Sequence, residues 1–189
     1  MSEKIKLTNE AVLISLFAAF ISAGCFIQVP FFGGVPIVFQ DMFAIFTGLM
    51  LGAVYGSIAV IVFLCLGILG LPVFSGKAGL HVILHGVTGG FLIGYLFAAF
   101  TAGILAKFFL KVSSGKIKNS ILLIIISLVA MIVIFVCGIF GFMRVTDCGL
   151  AKAVTAVVIP FIPGTVVKII FLFLLGKRFF PVINNYISK

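Results

Sequence analysis

Long apolar stretches alternate along this chain with short connections that are rich in proline, glycine or lysine. An apolar stretch of about 20 residues can cross the ~30 Å hydrocarbon core of a bilayer as a helix. The pattern therefore predicts an all-α integral membrane protein with a single domain, residues 1–189, and six transmembrane helices. The predicted spans cover residues 11–32, 42–53, 56–71, 80–106, 121–143 and 153–176.

The second and third predicted spans come from one uncharged stretch, residues 42–76. As one helix at 1.5 Å per residue it would be ~52 Å long, whereas a single crossing needs only ~30 Å. Glycines at positions 52 and 56 mark the place where the chain can turn. The sequence therefore predicts two short spans joined there.

The composition supports a membrane protein. Hydrophobic residues make up 63% of the chain, charged residues 9%, and the mean hydropathy is +1.45. The net charge of +9 does not predict nucleic-acid binding, because the basic residues lie at the ends of apolar segments and are not interleaved with aromatic residues. No small-residue cleavage site follows a short apolar core near the start, so we expect the first span to be retained.

The distribution of basic residues predicts the orientation. On one side of the predicted spans lie Lys4, Lys6, four lysines within 107–118, Lys177, Arg178 and Lys189; on the other side lie Lys77, Arg144 and Lys152. Basic residues accumulate on the cytoplasmic side of a membrane protein. We therefore expect both termini in the cytoplasm of a prokaryotic cell, and the protein in its cell membrane.

Lys168 is the one charged residue of the last predicted span, 153–176. A cation at bilayer depth costs at least ~2.5–3.5 kcal/mol on insertion scales. The proline- and glycine-containing segment 160–164 predicts irregular backbone, followed by a helix with Thr165 and Lys168 on one face. Because such backbone is tolerated beside protein or a watery cavity, we expect Lys168 to face a binding cavity. The alternative is a lysine that snorkels to the interface or neutralises a structural partner.

A lysine in an outward-facing cavity predicts the capture of a small anion such as a carboxylate. His81 and His85 are four residues apart, a spacing that can hold a metal, but no third ligand lies nearby in sequence. We therefore predict no metal and place both histidines at the cavity mouth. No catalytic motif, cofactor motif or nucleotide-binding loop is present, so we predict no enzyme and no cofactor. Such a protein would either let its solute equilibrate passively or take the energy for uptake from a partner.

One face of the first span carries small side chains at every fourth position: Ala11, Ser15, Ala19 and Ala23. Small residues let the backbones of neighbouring helices approach closely. This ridge predicts a helix packed against it, from this protein or from a partner.

Five stretches, in order along the chain, resemble the BioY family. They are Val-Pro-Ile-Val-Phe-Gln (35–40), Gly-Leu-Met-Leu-Gly (48–52), Leu-Gly-Ile-Leu-Gly-Leu-Pro-Val-Phe (66–74), Thr-Gly-Gly-Phe-Leu-Ile-Gly (88–94) and Pro-Phe-Ile-Pro-Gly-Thr-Val-Val-Lys (160–168). The resemblance implies the fold and function of a biotin-specific S component of energy-coupling factor (ECF) transporters. It also implies as partners a transmembrane coupling protein, which docks on the ridge of the first helix, and a pair of cytoplasmic ATPases.

The chain departs from the family pattern at Thr165, where the family motif has aspartate before the lysine that matches Lys168. The resemblance implies that this lysine lies near the carboxylate of the vitamin. A missing acid weakens recognition of the ureido N–H groups of biotin, so biotin is the first expectation and another small carboxylate such as lipoate the second. A membrane subunit without a transport function is the remaining alternative. The predicted substrate-binding residues are Lys168, Thr165, Gln40, Asp41, Gly76, Lys77, His81, His85 and Thr88.

Overall fold

The structure is a computed structural model that describes residues 2–29, 37–110 and 116–187. Its helices are α1 (Ser2–Ala23), α2 (Gln40–Ile68), α3 (Leu80–His85), α4 (Gly89–Leu105), α5 (Lys116–Thr146), α6 (Leu150–Val157) and α7 (Ile162–Ile187). Single turns of 3-10 helix occupy Gly24–Phe26 and Ile159–Phe161, and a π-helical turn, Ala106–Leu110, follows α4. Two short antiparallel strands, β1 (Gln28–Val29) and β2 (Ile37–Val38), precede α2.

Among the described residues, five helical segments are long and apolar enough to cross a membrane. They are Asn9–Phe26, Gln40–Ile68, Gly89–Phe109, Lys118–Thr146 and Leu150–Phe179. The fold is therefore the predicted all-helical membrane type. Part of the first predicted span, residues 30–32, lies outside the described residues.

One predicted span is interrupted where the sequence predicted a continuous helix, and another is interrupted where the sequence predicted irregular backbone. The segment 80–106 was predicted as one helix, but α3 ends at His85 and α4 begins at Gly89. The last span, 153–176, is interrupted by the 3-10 turn Ile159–Phe161, where Pro160 leaves a backbone carbonyl without its helical donor. The irregular backbone expected before Thr165 and Lys168 is therefore present as this turn.

A sharp break divides α2 at Gly52, which has φ +76° and ψ −177°. Only glycine adopts this conformation without strain. The two arms of α2 fold back on each other, since a methyl group at Gly56 would lie 2.9 Å from Cα of Gly48. The turn that the sequence predicted between residues 52 and 56 is thus present. The arms, 40–51 and 53–68, are about 18 Å and 24 Å long.

Close backbone contacts hold α4 between α2 and α5. A methyl group at Gly48 would lie 2.8 Å from Cα of Ala99, and one at Gly90 would lie 2.8 Å from Cα of Gly141. The face of α4 that makes these contacts is buried, and α7 closes the bundle against α2 and α5. Small residues at helix crossings allow this packing in a bilayer, where lipid tails are as apolar as the protein core.

We expect Gly48→Ala to destabilise the fold by ~1–3 kcal/mol, because the added methyl group overlaps the backbone of Ala99 and forces the helices apart. Thermal unfolding of the detergent-solubilised protein measures this effect. Gly149→Ala is the matched control: Gly149 has φ −72° and no atom within 4 Å of an added methyl group. Equal unfolding temperatures for the two variants would contradict the packing described here.

Candidate functional site

A cavity lies between α2, α4, α5 and α7, beneath the connection 69–79. Its volume of about 30 Å³ is room for about two water molecules. A pocket that holds a small molecule usually measures ~300–1,000 Å³, so the walls must move apart to admit a ligand. The lining residues are Val38, Gln40, Asp41, Phe74, Ser75, Thr88, Phe91, Leu92, Tyr95, Ile134, Phe135, Phe161 and Lys168.

An ion pair lies in the wall of this cavity. Nζ of Lys168 on α7 is 2.6 Å from Oδ2 of Asp41 at the start of α2. Both residues are buried, with exposed fractions of 2% and 7%. The ring of Phe39 lies 6.0 Å from the same ammonium group, within cation–π range. Lys168 therefore does not snorkel to the surface, and its charge is compensated inside the protein.

The other oxygen of Asp41 is also occupied, because Oδ1 accepts a hydrogen bond of 2.8 Å from the backbone N–H of Met42. A carboxylate in the first turn of a helix is stabilised by the free N–H groups there. The predicted spans 11–32 and 42–53 leave Asp41 at the end of the loop between them. The structure instead makes it the second residue of α2 and buries it.

Gln40, next to Asp41, is 1% exposed and joins three parts of the chain. Its Nε2 donates to the carbonyl oxygens of Ile21 (3.3 Å) and Val73 (2.7 Å). Because both partners are acceptors, the amide nitrogen must face them, and Oε1 is left without a hydrogen-bond partner among the described residues. A buried acceptor without a partner costs ~1–3 kcal/mol, which an N–H group of a ligand can recover.

One face of α4 forms an apolar wall of the cavity. Thr88, Phe91, Leu92 and Tyr95 line it, at positions i, i+3, i+4 and i+7 of a helical turn. Of these residues the sequence analysis named Thr88 alone. The spacing of Phe91 and Tyr95 could have identified this face from the sequence. Ile134 and Phe135 could not be identified in this way, because apolar residues lie all around α5.

The connection 69–79 places Phe74 and Ser75 in the cavity wall. Phe74 and Lys77 exchange two backbone hydrogen bonds of 3.0 Å. Between them Ser75 and Gly76 have φ +52° and +81°, values typical of the tight turn that closes a two-residue hairpin. The backbone N–H of Gly79 donates to the carbonyl of Gly67 (2.8 Å) and ties the connection to the end of α2.

Five predicted site residues lie outside the cavity lining in the described part of the chain. Gly76, Lys77, His81 and His85 are exposed, on the turn and on α3. Thr165 is half-buried, and its hydroxyl donates to the carbonyl of Phe161 on its own helix (2.9 Å). The structure thus brings Gln40, Asp41, Thr88 and Lys168 together. Ligand contacts by the other five stay a prediction.

A helical protein with membrane-length apolar segments and an internal cavity that carries one ion pair has the architecture of a membrane protein that binds a solute. The sequence model of the BioY family matches residues 1–185. This chain belongs to the BioY family. Membership makes it a transport protein and not an enzyme.

Relatives named as biotin transporters support the assignment. The biotin transporter BioY of Rhodobacter capsulatus is 36% identical over 86% of this chain and 88% of its own length. The BioY protein of Rhizobium etli is 34% identical over 90% and 92%. The fold matches a crystal structure of the S-component for biotin from an ECF-type ABC transporter, with a TM-score of 0.78, 29% identity and coverage of 92% and 91%.

Proposed function

We propose that this chain is the substrate-binding S component of an ECF-type importer and binds biotin in the cavity described above. The observation that carries the proposal is the buried Lys168–Asp41 pair in the cavity wall, in a chain of the BioY family. An ion pair in an apolar bundle is costly unless each charged group is well paired, and a polar ligand is a reason to retain it. The apolar walls formed by α4 and α5 suit the aliphatic part of the vitamin.

A binding measurement tests the substrate. We expect the protein purified in detergent to bind biotin and to retain it through purification, which native mass spectrometry detects. Lipoate is the second candidate, because Thr165 stands where the family motif has an acid. Binding of lipoate without binding of biotin would replace the first substrate by the second, and binding of neither would contradict the proposed function.

The proposed partners are a transmembrane coupling protein and a pair of cytoplasmic ATPases. They are needed because the sequence contains no nucleotide-binding loop and import against a gradient requires energy. The exposed ridge of α1, formed by Ala11, Ser15, Ala19 and Ala23, is the proposed docking face for the coupling protein. Small side chains there allow a partner helix to approach closely.

The proposed topology has six membrane crossings with both termini in the cytoplasm of a prokaryotic cell, when the two arms of α2 are counted separately. The excess of basic residues near the termini and in the connection 107–118 supports this orientation. In this orientation the connection 69–79 and helix α3 lie on the outer side of the membrane, next to the cavity.

Cysteine labelling checks the orientation. We expect Ser114→Cys, made in a variant whose four native cysteines are replaced by alanine, to resist an impermeant thiol reagent in intact cells and to react after lysis, because it lies on the cytoplasmic side. Lys77→Cys in the same background is the control and should react in intact cells. The reverse result would invert the topology.

A further inference from the structure

Four exposed basic side chains, here called the basic cluster, lie at one end of the helical bundle. Lys107 belongs to the π-helical turn after α4, Lys118 lies near the start of α5, and Lys177 and Arg178 lie on α7. None of the four forms an ion pair with a carboxylate in the part of the chain that the structure describes. Their charge is therefore not compensated by those residues.

The three elements that carry the basic cluster meet at this end. The π-helical turn packs against both α5 and α7, and a methyl group at Gly176 on α7 would lie 3.3 Å from Cδ1 of Leu123 on α5. Lys177 follows Gly176 directly, and Lys118 comes five residues before Leu123, about 7.5 Å along the helix axis. Like charges gathered at one junction repel one another, and an anion bound among them offsets this repulsion.

Large apolar side chains border the basic cluster. Each lies within four residues of a member of the cluster on the same element. The exposed ones are Phe108, Phe109, Ile121, Leu174 and Phe179. A soluble phosphate compound would use the cations alone, whereas a phospholipid would place its phosphate on the cations and its acyl chains on the apolar side chains. The combination favours a lipid.

We propose that the basic cluster binds the headgroup of an anionic phospholipid, with the acyl chains packed on the neighbouring apolar side chains. Lysine and arginine donate charge-assisted hydrogen bonds to phosphate, and basic groups between membrane helices on the cytoplasmic side bind anionic headgroups. In the proposed topology this end of the bundle faces the cytoplasm. The inference goes beyond the proposed function, because it involves neither biotin nor the cavity.

Titration of the detergent-purified protein with phosphatidylglycerol tests the inference, and native mass spectrometry measures the bound fraction. Phosphatidylcholine with the same acyl chains has no net charge, and glycerophosphoglycerol has the same headgroup without the chains. The test variant is Lys177→Gln/Arg178→Gln. The matched control, Arg144→Gln/Lys152→Gln, also removes one lysine and one arginine from exposed positions, but near the opposite end of α5, where Asp147 lies between them in the sequence.

We expect the wild-type protein to bind phosphatidylglycerol at least about fivefold more tightly than phosphatidylcholine. The test variant should bind phosphatidylglycerol about 5-fold to 25-fold more weakly than the wild-type protein, because each basic residue near an anionic headgroup contributes a factor of about five. Its affinity for phosphatidylcholine should not change. The control variant should bind both lipids like the wild-type protein, and both variants should bind biotin like the wild-type protein, since the four substituted residues lie outside the cavity lining.

Three results would overturn the inference. The first is equal affinity of the wild-type protein for the two lipids, or an unchanged affinity of the test variant for phosphatidylglycerol. The second is displacement of phosphatidylglycerol by an equal concentration of glycerophosphoglycerol, which would indicate a site for a soluble phosphate compound. The third is a test variant that binds phosphatidylglycerol normally but no longer assembles with the coupling protein, which would make the cluster a protein-docking surface. Failure to bind biotin or lipoate would contradict the proposed function alone, because lipid binding is measured separately.

Discussion

We expect Lys168→Ala to weaken biotin binding by ~1.5–3 kcal/mol, the range for a hydrogen bond to a charged group, or about 10-fold to 150-fold in the dissociation constant. The substitution removes the cavity's charged donor and leaves the buried carboxylate of Asp41 without its 2.6 Å partner. Titration of the purified protein with biotin measures the loss.

Thr165→Ala is the matched control one turn earlier on the same helix. Its hydroxyl already donates to the carbonyl of Phe161, so its removal should cost ~0.5–1.5 kcal/mol at most. If Lys168→Ala binds biotin and lipoate as tightly as the wild-type protein does, the lysine has no part in binding. Lys168 would then only neutralise Asp41 within the protein. This corresponds to the structural role that the sequence left as an alternative.

We expect Ala19→Trp and Ala23→Trp each to abolish biotin uptake while the purified variants still bind biotin. Both residues are exposed on α1, and an indole there would hold a docking helix several ångströms away from the backbone. Uptake of radiolabelled biotin is measured in cells that also contain the coupling protein and the ATPases. Binding is measured on the isolated protein.

Ala151→Trp provides a control with the same change in size, at an exposed position of α6, and should leave uptake intact. Loss of binding in the purified α1 variants would show that the ridge supports the packing of this protein itself. Normal uptake in both variants would remove the ridge from the proposed docking face.

Simple energetics identified part of the site from the sequence. The cost of a lysine inside an apolar stretch pointed to Lys168, and the structure buries it in the cavity wall. Its pairing with Asp41 could not be predicted, because the two residues are 127 positions apart and no local pattern encodes the contact. Asp41 was expected in a loop, because Pro30, Gly33, Gly34 and Pro36 precede it and break a regular helix.

The sequence predicted the part of the fold that depends on the length of an apolar stretch. It missed the part that depends on the local backbone conformation. The turn at Gly52 followed from the excess length of one apolar stretch. The break between α3 and α4 did not, because the glycines from 86 to 94 favour the close approach of a neighbouring backbone or a ligand in a membrane helix as much as they favour a helix end. Gly90 and Gly94 do pack closely on α5, whereas Gly86 adopts an extended conformation that ends α3.

The break at Gly52 has a consequence for the lipid around the protein. Arms of about 18 Å and 24 Å are shorter than a hydrocarbon core of ~30 Å, and a short apolar segment is accommodated by local thinning of the bilayer. Val54 and Ile61 are exposed on the surface of α2. This surface therefore matches short acyl chains better than long ones. Reconstitution into lipids with longer acyl chains should consequently lower the thermal stability of the protein.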